Sequence, residues 1–231
     1  MTNESNTRLI HAFDACLPGR IPAISSKTDI LNAATEAFAD RGFEATSVRA
    51  ICAAAGVNLA AINYHFGGKA ALYREVVTRA YESSGSTPMP SLAEHDSPDE
   101  ALAGWIDWYV GRSVQSGLDP ARRLLLREAA HPTTELDGVV QSVLHPVYQA
   151  LEEIVKALLP RDIDARSLKL HCLGILGQCL VHRVCREMID RLPVEPRIGP
   201  EDARAISELI TMNVRAALAA ARSPRTEESS A

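Results

Sequence analysis

The stretch at 46–69, TSVRAICAAAGVNLAAINYHFGGK, leaves this chain few ways to fold. Thr46 and Ser47 bring the side-chain oxygens that cap a helix start. Val48, Ile51, Cys52 and Ala55 then recur at helical spacing, so one face is available for burial. Gly56 follows, where a helix ends in the left-handed conformation that glycine adopts cheaply. Asn58 is placed to cap a second short helix over about 59–65, which Gly67 and Gly68 stop. Two short helices joined by a tight glycine-containing turn make a helix-turn-helix, a unit that docks on DNA.

The residue types of the second helix suit entry into a groove. Leu59, Ala60 and Ala61 are small or apolar at its start, so the backbone can approach base edges, and alanine can meet a thymine methyl. Ile62 and Phe66, four apart, are expected to face inward, leaving Asn63, Tyr64, His65 and Lys69 as polar donors outside. With the preceding TSVRAIC, the run AGVNLAAINYHFGGKAALY resembles the DNA-binding head of the TetR family of one-component regulators over 28–79. That resemblance implies base-edge contacts from Arg49, Leu59, Ala60, Ala61 and Asn63. It implies phosphate contacts from Tyr64, His65 and Lys69, with Thr46 or Ser47, and places Asn58 at the interface as well. Where many relatives carry Ser, Lys or Thr and Gly, this chain has Asn58-Leu59-Ala60-Ala61, which bears on base preference and not on docking.

Composition agrees with an all-α fold. Apolar residues reach 46% in 231 residues, enough for a sizeable core, and strand-like patterns are sparse. The formal net charge of −5 does not mark a nucleic-acid binder, but its distribution is uneven. Six cations against five anions give +1 over 27–81, while the residues beyond carry −6. An acidic body discourages indiscriminate binding to DNA and leaves docking to a local surface. Five cysteines without a CxxC pair suggest buried thiols in a reducing compartment. No apolar run approaches the roughly 18 residues of a membrane span, and no leader pattern is seen. A cytoplasmic protein with no membrane partner is the expectation.

In chain order, 1–26 are expected to be a flexible extension in which Arg8 and Arg20 offer a minor-groove arm. The DNA-binding domain is assigned to 27–83. Its first helix covers about 27–41, with Ile30, Ala33, Ala34, Ala37 and Phe38 on one face. Its fourth covers about 69–83, with Leu72, Val76 and Ala80 inward. A linker precedes a helical body at 97–222, and a disordered tail is expected at 223–231. Ser97-Pro98-Asp99-Glu100 reads as a capping box opening a helix to about 116. A helix starting near Asp119-Pro120 stops before Pro132. The segment 136–159 is expected to break at Pro146. One helix is expected over 164–191 and a last one over about 200–221.

The segments LLLREAAHPTTELDGVVQSVLHPVYQALEEIV and HCLGILGQCLVHRVCRE resemble the sensing half of the CecR-like TetR subgroup. This implies dimerisation through the last two helices and a small-molecule pocket under the fourth. The residues lead partly the same way. Leu173, Leu176, Leu180 and Val184 share a face, Gly174 and Gly177 permit close helix approach, and the last helix offers Ile206, Leu209, Ile210, Val214 and Leu218. Two such helices from each of two chains make a four-helix interface. Trp105, Trp108 and Tyr109, with Arg112, Arg127, His131 and Gln178, are candidates for a pocket, against ordinary core packing. Arg122 and Arg123 read as a solvated face. Cys172, Cys179 and His182 recur on one helix face and keep a metal or thiol sensor open as an alternative. No catalytic motif, phosphate loop or metal motif of proper spacing is present, so no enzyme, cofactor or metal site is expected. The whole reads as a homodimeric, ligand-released repressor of a double-stranded operator. A helical interaction protein that has lost DNA binding is the rival.

Overall fold

The computed structural model describes residues 27–82, 87–114 and 120–222. The expectations for 1–26, including the Arg8 and Arg20 arm, and for 223–231 lie outside the described residues. Every regular element among the described residues is helical. The α-helices, in order, are α1 (Lys27–Ala45), α2 (Val48–Ala55), α3 (Leu59–Phe66), α4 (Lys69–Glu82), α5 (Pro98–Ser113), α6 (Pro120–Ala130), α7 (Leu136–Val139), α8 (His145–Leu158), α9 (Ala165–Val184), α10 (Arg186–Ile189) and α11 (Ala203–Arg222).

The expected starts and stops are mostly found where their chemistry requires them. Ser47 Oγ accepts from Ala50 N, and Asn58 Oδ1 accepts from Ala61 N at 3.0 Å, so each caps its helix. Gly56 ends α2 at φ 67°, and Val57 N donates to Cys52 O across the turn. Ser97 Oγ accepts from Glu100 N to open α5. Gly42 interrupts α1 as expected, at φ 78° and ψ 174°, but a short helical piece follows it to Ala45. The break near Pro146 is a single π-helical turn, Val140–Leu144, just before the proline. A wider turn there accommodates a ring with no N–H to donate. The helix expected over 164–191 is shorter. It begins after its Asp164 cap, ends at Val184, and resumes as α10 after a break at Cys185.

One continuous core joins head and body. In the head, Ile30, Ala34 and Phe38 of α1 meet Ile51 of α2, Ile62 of α3 and Leu72 and Val76 of α4. Phe38 packs edge-on against Tyr73 with centroids 4.9 Å apart, a favoured aromatic geometry. In the body, α5 lies centrally against α8, α9 and α11. The fourth helix buries two adjacent stripes: Leu72, Val76 and Ala80 toward the head, and Tyr73, Val77 and Tyr81 beside them. It is therefore packed on both sides, with α6 covering the second. Reading Arg122 as solvated is corrected here. It is buried, and its Nη2 donates to Arg183 O of α9 at 2.9 Å.

Candidate nucleic-acid interface

The outward surface of α3 is the most distinctive feature of the head. Leu59, Ala60, Asn63, Tyr64 and His65 are exposed while Ile62 beneath them is fully buried. Tyr64 is 86% exposed, with only His65 as an aromatic neighbour, at 5.1 Å in an edge arrangement. A large aromatic left this bare at the tip of a small domain has no packing role. Arg49 on α2 is exposed beside it. Ser47 and Asn58 are exposed at the starts of α2 and α3, although each spends its side-chain oxygen on capping. Ala61 is half-buried.

Two positions depart from the expected picture. Thr46 is only 1% exposed, and its Oγ1 donates to Ala37 O and Gly42 O at 3.0 and 2.7 Å. It fastens the end of α1 to the start of α2 and is not available to a phosphate. Ser47 alone does the capping assigned to the pair. Lys69 keeps its place at the start of α4, with Nζ 3.3 Å from Glu44 O and 4.5 Å from the Phe43 ring centre. An ammonium has three donors, so this fixes the position of the charge without consuming it.

This arrangement gives a helix-turn-helix with one polar, exposed recognition surface, joined to a helical body. A profile described as "HTH-type transcriptional dual regulator CecR, C-terminal domain" matches residues 98–221, more than half of the chain. A second, "Bacterial regulatory proteins, tetR family", matches 30–76. The chain belongs to the TetR family, with a CecR-type C-terminal half. It is similar to the HTH-type transcriptional dual regulator CecR of Shigella flexneri, 25% identical over 200 residues that cover 82% of this chain and 89% of the relative. It is also similar to the HTH-type transcriptional repressor Rv3405c of Mycobacterium tuberculosis (30% over 149 residues, 63% and 67% covered). A crystal structure of a Pseudomonas aeruginosa PAO1 protein assigned as a transcriptional regulator shares the fold. It has TM-score 0.62 and 20% identity, with 85% and 93% of the two chains covered. This TetR-family protein is thus a DNA-binding transcriptional regulator with an N-terminal helix-turn-helix and a helical C-terminal half. Regulators of the family bind DNA operators and act as dimers.

In the body of this TetR-family regulator, the seven candidate pocket residues do not converge. Trp105, Trp108 and Tyr109 form one aromatic cluster on α5, with Trp105 and Tyr109 stacked at 5.0 Å. Arg112 joins it, its guanidinium 4.9 Å from the Trp108 ring and 5.2 Å from Tyr81, and its Nη2 donates to Tyr81 O at the end of α4. Arg127 lies elsewhere, exposed against Gly42 of α1 with Nη2 donating to Arg41 O. His131 is exposed past the end of α6, and Gln178 lines an outer groove of about 360 Å³ between α9 and α11. Spacing along separate helices carries no information on which faces meet, so these three lie apart from the aromatic cluster. Missed altogether were Tyr81 and Arg183, which complete the α5 cluster, and the contacts that tie α6 to the head. Arg123 bridges Glu36 and Asp40 of α1, and Glu128 accepts from Tyr73 of α4.

Cys172 and Cys179 are fully buried. Burial raises both thiols, Cys172 to about 11 with the nearby Glu152 charge adding, and Cys179 to about 12. Among the described residues no group of three or more His, Cys, Asp or Glu is placed to hold a metal. A raised thiol pKa means less thiolate. At pH 8 the fraction drops from roughly a quarter for an ordinary thiol to about one in a thousand at pKa 11. Iodoacetamide at pH 8 is therefore expected to modify half-buried Cys185 well before Cys52, Cys172 or Cys179, as read by peptide mass mapping. Rapid modification of Cys172 or Cys179 in the folded protein would restore the thiol-sensor alternative.

Proposed function

We propose that this regulator is a cytoplasmic homodimeric repressor that holds a pseudo-palindromic double-stranded operator and lets go when a small molecule enters the body. The head, 27–83, would dock through α3, and the body, 97–222, would sense and dimerise, with no catalysis involved. The observation that carries the reading is the bare recognition face of α3, with Tyr64 standing free above a fully buried Ile62. Arg49, Leu59, Ala60, Ala61 and Asn63 would address base edges. Ser47, Asn58, Tyr64, His65 and Lys69 would address phosphates, which position the protein without reading sequence.

Dimerisation is assigned to the outer stripe of α9 (Leu170, Leu173, Gly174, Gly177, Val181, Val184) and that of α11 (Leu209, Met212). All are exposed in the single chain, and nothing lies within 4 Å of a Cβ built on either glycine. The effector site is assigned to the Trp105, Trp108, Tyr109 and Arg112 cluster. Its Arg112 grips the last turn of α4, so a ligand that moves Arg112 also tilts the helix carrying the head. Two heads must match half-sites about 34–36 Å apart. A ligand that prefers a mismatched body conformation releases DNA, and DNA in turn weakens the ligand.

The test is fluorescence anisotropy on DNA from immediately upstream of the coding region, with random competitor and increasing salt. Saturable binding at two chains per site that survives competitor supports the reading. Binding no better than to random DNA, there and after selection from a random pool, favours the interaction-protein rival. Within the same assay, Arg49→Ala is expected to lose about 1–3 kcal/mol on the operator and less on random DNA, as for a guanine contact. Tyr64→Ala is expected to weaken both DNAs alike. Equal losses for Arg49→Ala would make it a phosphate contact, and an unchanged Tyr64→Ala would remove that residue from the interface.

A further inference from the structure

We propose that the connector 185–199, between α9 and α11, is a clasp that lies against a second copy of the chain, extending the dimer face of α9 and α11 toward the heads. The inference rests on the dimer reading above and adds a surface that the two helices alone do not include. Thirteen large apolar side chains are exposed among the described residues, and ten of them fall within 170–212. Six of the ten are accounted for by the stripes of α9 and α11. The other four belong to the connector: Met188 (70% exposed), Leu192 (58%), Val194 (64%) and Ile198.

Three observations make a second copy the occupant. First, the connector adjoins the exposed end of the α9 stripe: Val181 and Val184 are followed, across the break at Cys185, by exposed Met188 and Leu192. A stripe that is buried in a dimer does not end at a bare apolar segment adjoining it. Second, the segment is held by its own backbone: Met188 N and Ile189 N donate to Cys185 O, Leu192 N donates to Ile189 O, and Arg186 pairs with Asp190 at 2.9 Å. Met188 and Leu192 are thus presented on formed turns, which lowers the ordering cost of docking. Third, its charges balance. Three arginines and three acidic residues fall within 185–199, so the segment has no formal net charge and a two-fold copy meets it without net repulsion.

The position gives the clasp a consequence. Arg183, in the last turn of α9, reaches Tyr81 at the end of α4 (5.8 Å to the ring) and accepts from Arg122 of α6 on its carbonyl. The connector leaves α9 from this junction, at the head side of the body. Contacts made there fix the separation of the two heads more directly than contacts at the far end of α9.

The experiment uses the full chain. Dimer dissociation constants are measured by sedimentation for the wild type, for Leu173→Glu, and for the double variant Met188→Glu with Leu192→Glu, with helicity checked by circular dichroism. The clasp predicts unchanged helicity and a dimer weakened by about tenfold or more in the connector variant, as for anchors lost from an interface. Loss of the dimer in Leu173→Glu with no change in the connector variant would overturn the clasp and leave the α9 and α11 face standing. No dimer in the wild type, or no change in either variant, would overturn the dimer reading beneath it. A photo-reactive residue at position 192, in a mixture of isotope-labelled and unlabelled chains, provides the second arm. Mixed-label cross-links to α9 or α11 support the clasp. Same-chain cross-links only, or capture of a different protein, overturn it.

Discussion

Replacing Leu173 by glutamate is expected to turn the dimer into monomers and to remove tight operator binding with it. Leu173 lies at the centre of the α9 stripe, between Leu170 and Gly177, and is exposed in the single chain. A glutamate there leaves the buried core of the single chain untouched, since Leu173 is 47% exposed. In a two-fold interface the same change enters twice, and an unpaired carboxylate taken out of water costs several kcal/mol. Tethering two heads raises affinity by roughly 10²–10⁴ over one head, because the second contact becomes intramolecular. Losing the tether therefore lowers operator affinity by a comparable factor while each head keeps its fold. Sedimentation velocity at micromolar concentration and operator anisotropy measure the two effects on the same sample. A variant that still sediments as a dimer places the interface elsewhere. A monomer that binds the operator as tightly as the wild type would mean one head suffices, against the palindromic operator.

The parts of this molecule legible in its sequence are those set by neighbours within a turn or two. Ser47, Gly56 and Asn58 announce the helix-turn-helix because capping and left-handed glycine are local chemistry, and all three act as their residue types require. The inward set Ile51, Ile62, Leu72 and Val76 follows from periodicity alone. The outward set on α3, Tyr64 included, follows by exclusion. Legibility fails where two helices distant in sequence decide the outcome. Thr46 looked like a cap, but the carbonyls of Ala37 and Gly42 claim its hydroxyl. Arg122 looked solvated, but a carbonyl 61 residues away accepts from it. Gln178, Arg127 and His131 are polar residues on helical segments, like Arg112, and only the packing of α6 and α9 separates them from the aromatic cluster. The break at Cys185 has no proline or glycine to announce it.

The second large effect concerns the joint between α4 and α6. Glu128 of α6 is 4% exposed, yet its carboxylate is fully used. Oε2 accepts from the Tyr73 hydroxyl of α4, and Oε1 accepts from Thr133 N and Oγ1 at 2.9 Å each. Burial first, and then the Glu128 carboxylate, push the Tyr73 phenol well above its ordinary range, so it stays a donor throughout the working pH range. One side chain thus holds α4, the end of α6 and the turn into α7. Glu128→Ala leaves three donors without their acceptor, the Tyr73 hydroxyl in the core and two on half-buried Thr133. At about 1–3 kcal/mol for each buried group left unpaired, and with partial rehydration at Thr133, a loss of about 3 kcal/mol is expected. For a chain of this size that lowers Tm by about 6–12 °C, measured at fixed protomer concentration, on which the Tm of any oligomer depends. Tyr73→Phe keeps the ring against Phe38 and is expected to cost less. The double variant separates joint from packing: if the hydroxyl matters through Glu128, Tyr73→Phe adds little once Glu128 is alanine. Additive losses would mean the two side chains act independently and α4 is held to α6 by apolar contact alone. The same pair then tests the mechanism, because α4 is the helix that carries the head. With the joint cut, an effector is expected still to bind the body but to release the operator less completely, since the Arg112 grip then acts on an α4 no longer braced against α6. Full release by Glu128→Ala at saturating effector would mean that the Arg112 grip on Tyr81 suffices without the joint.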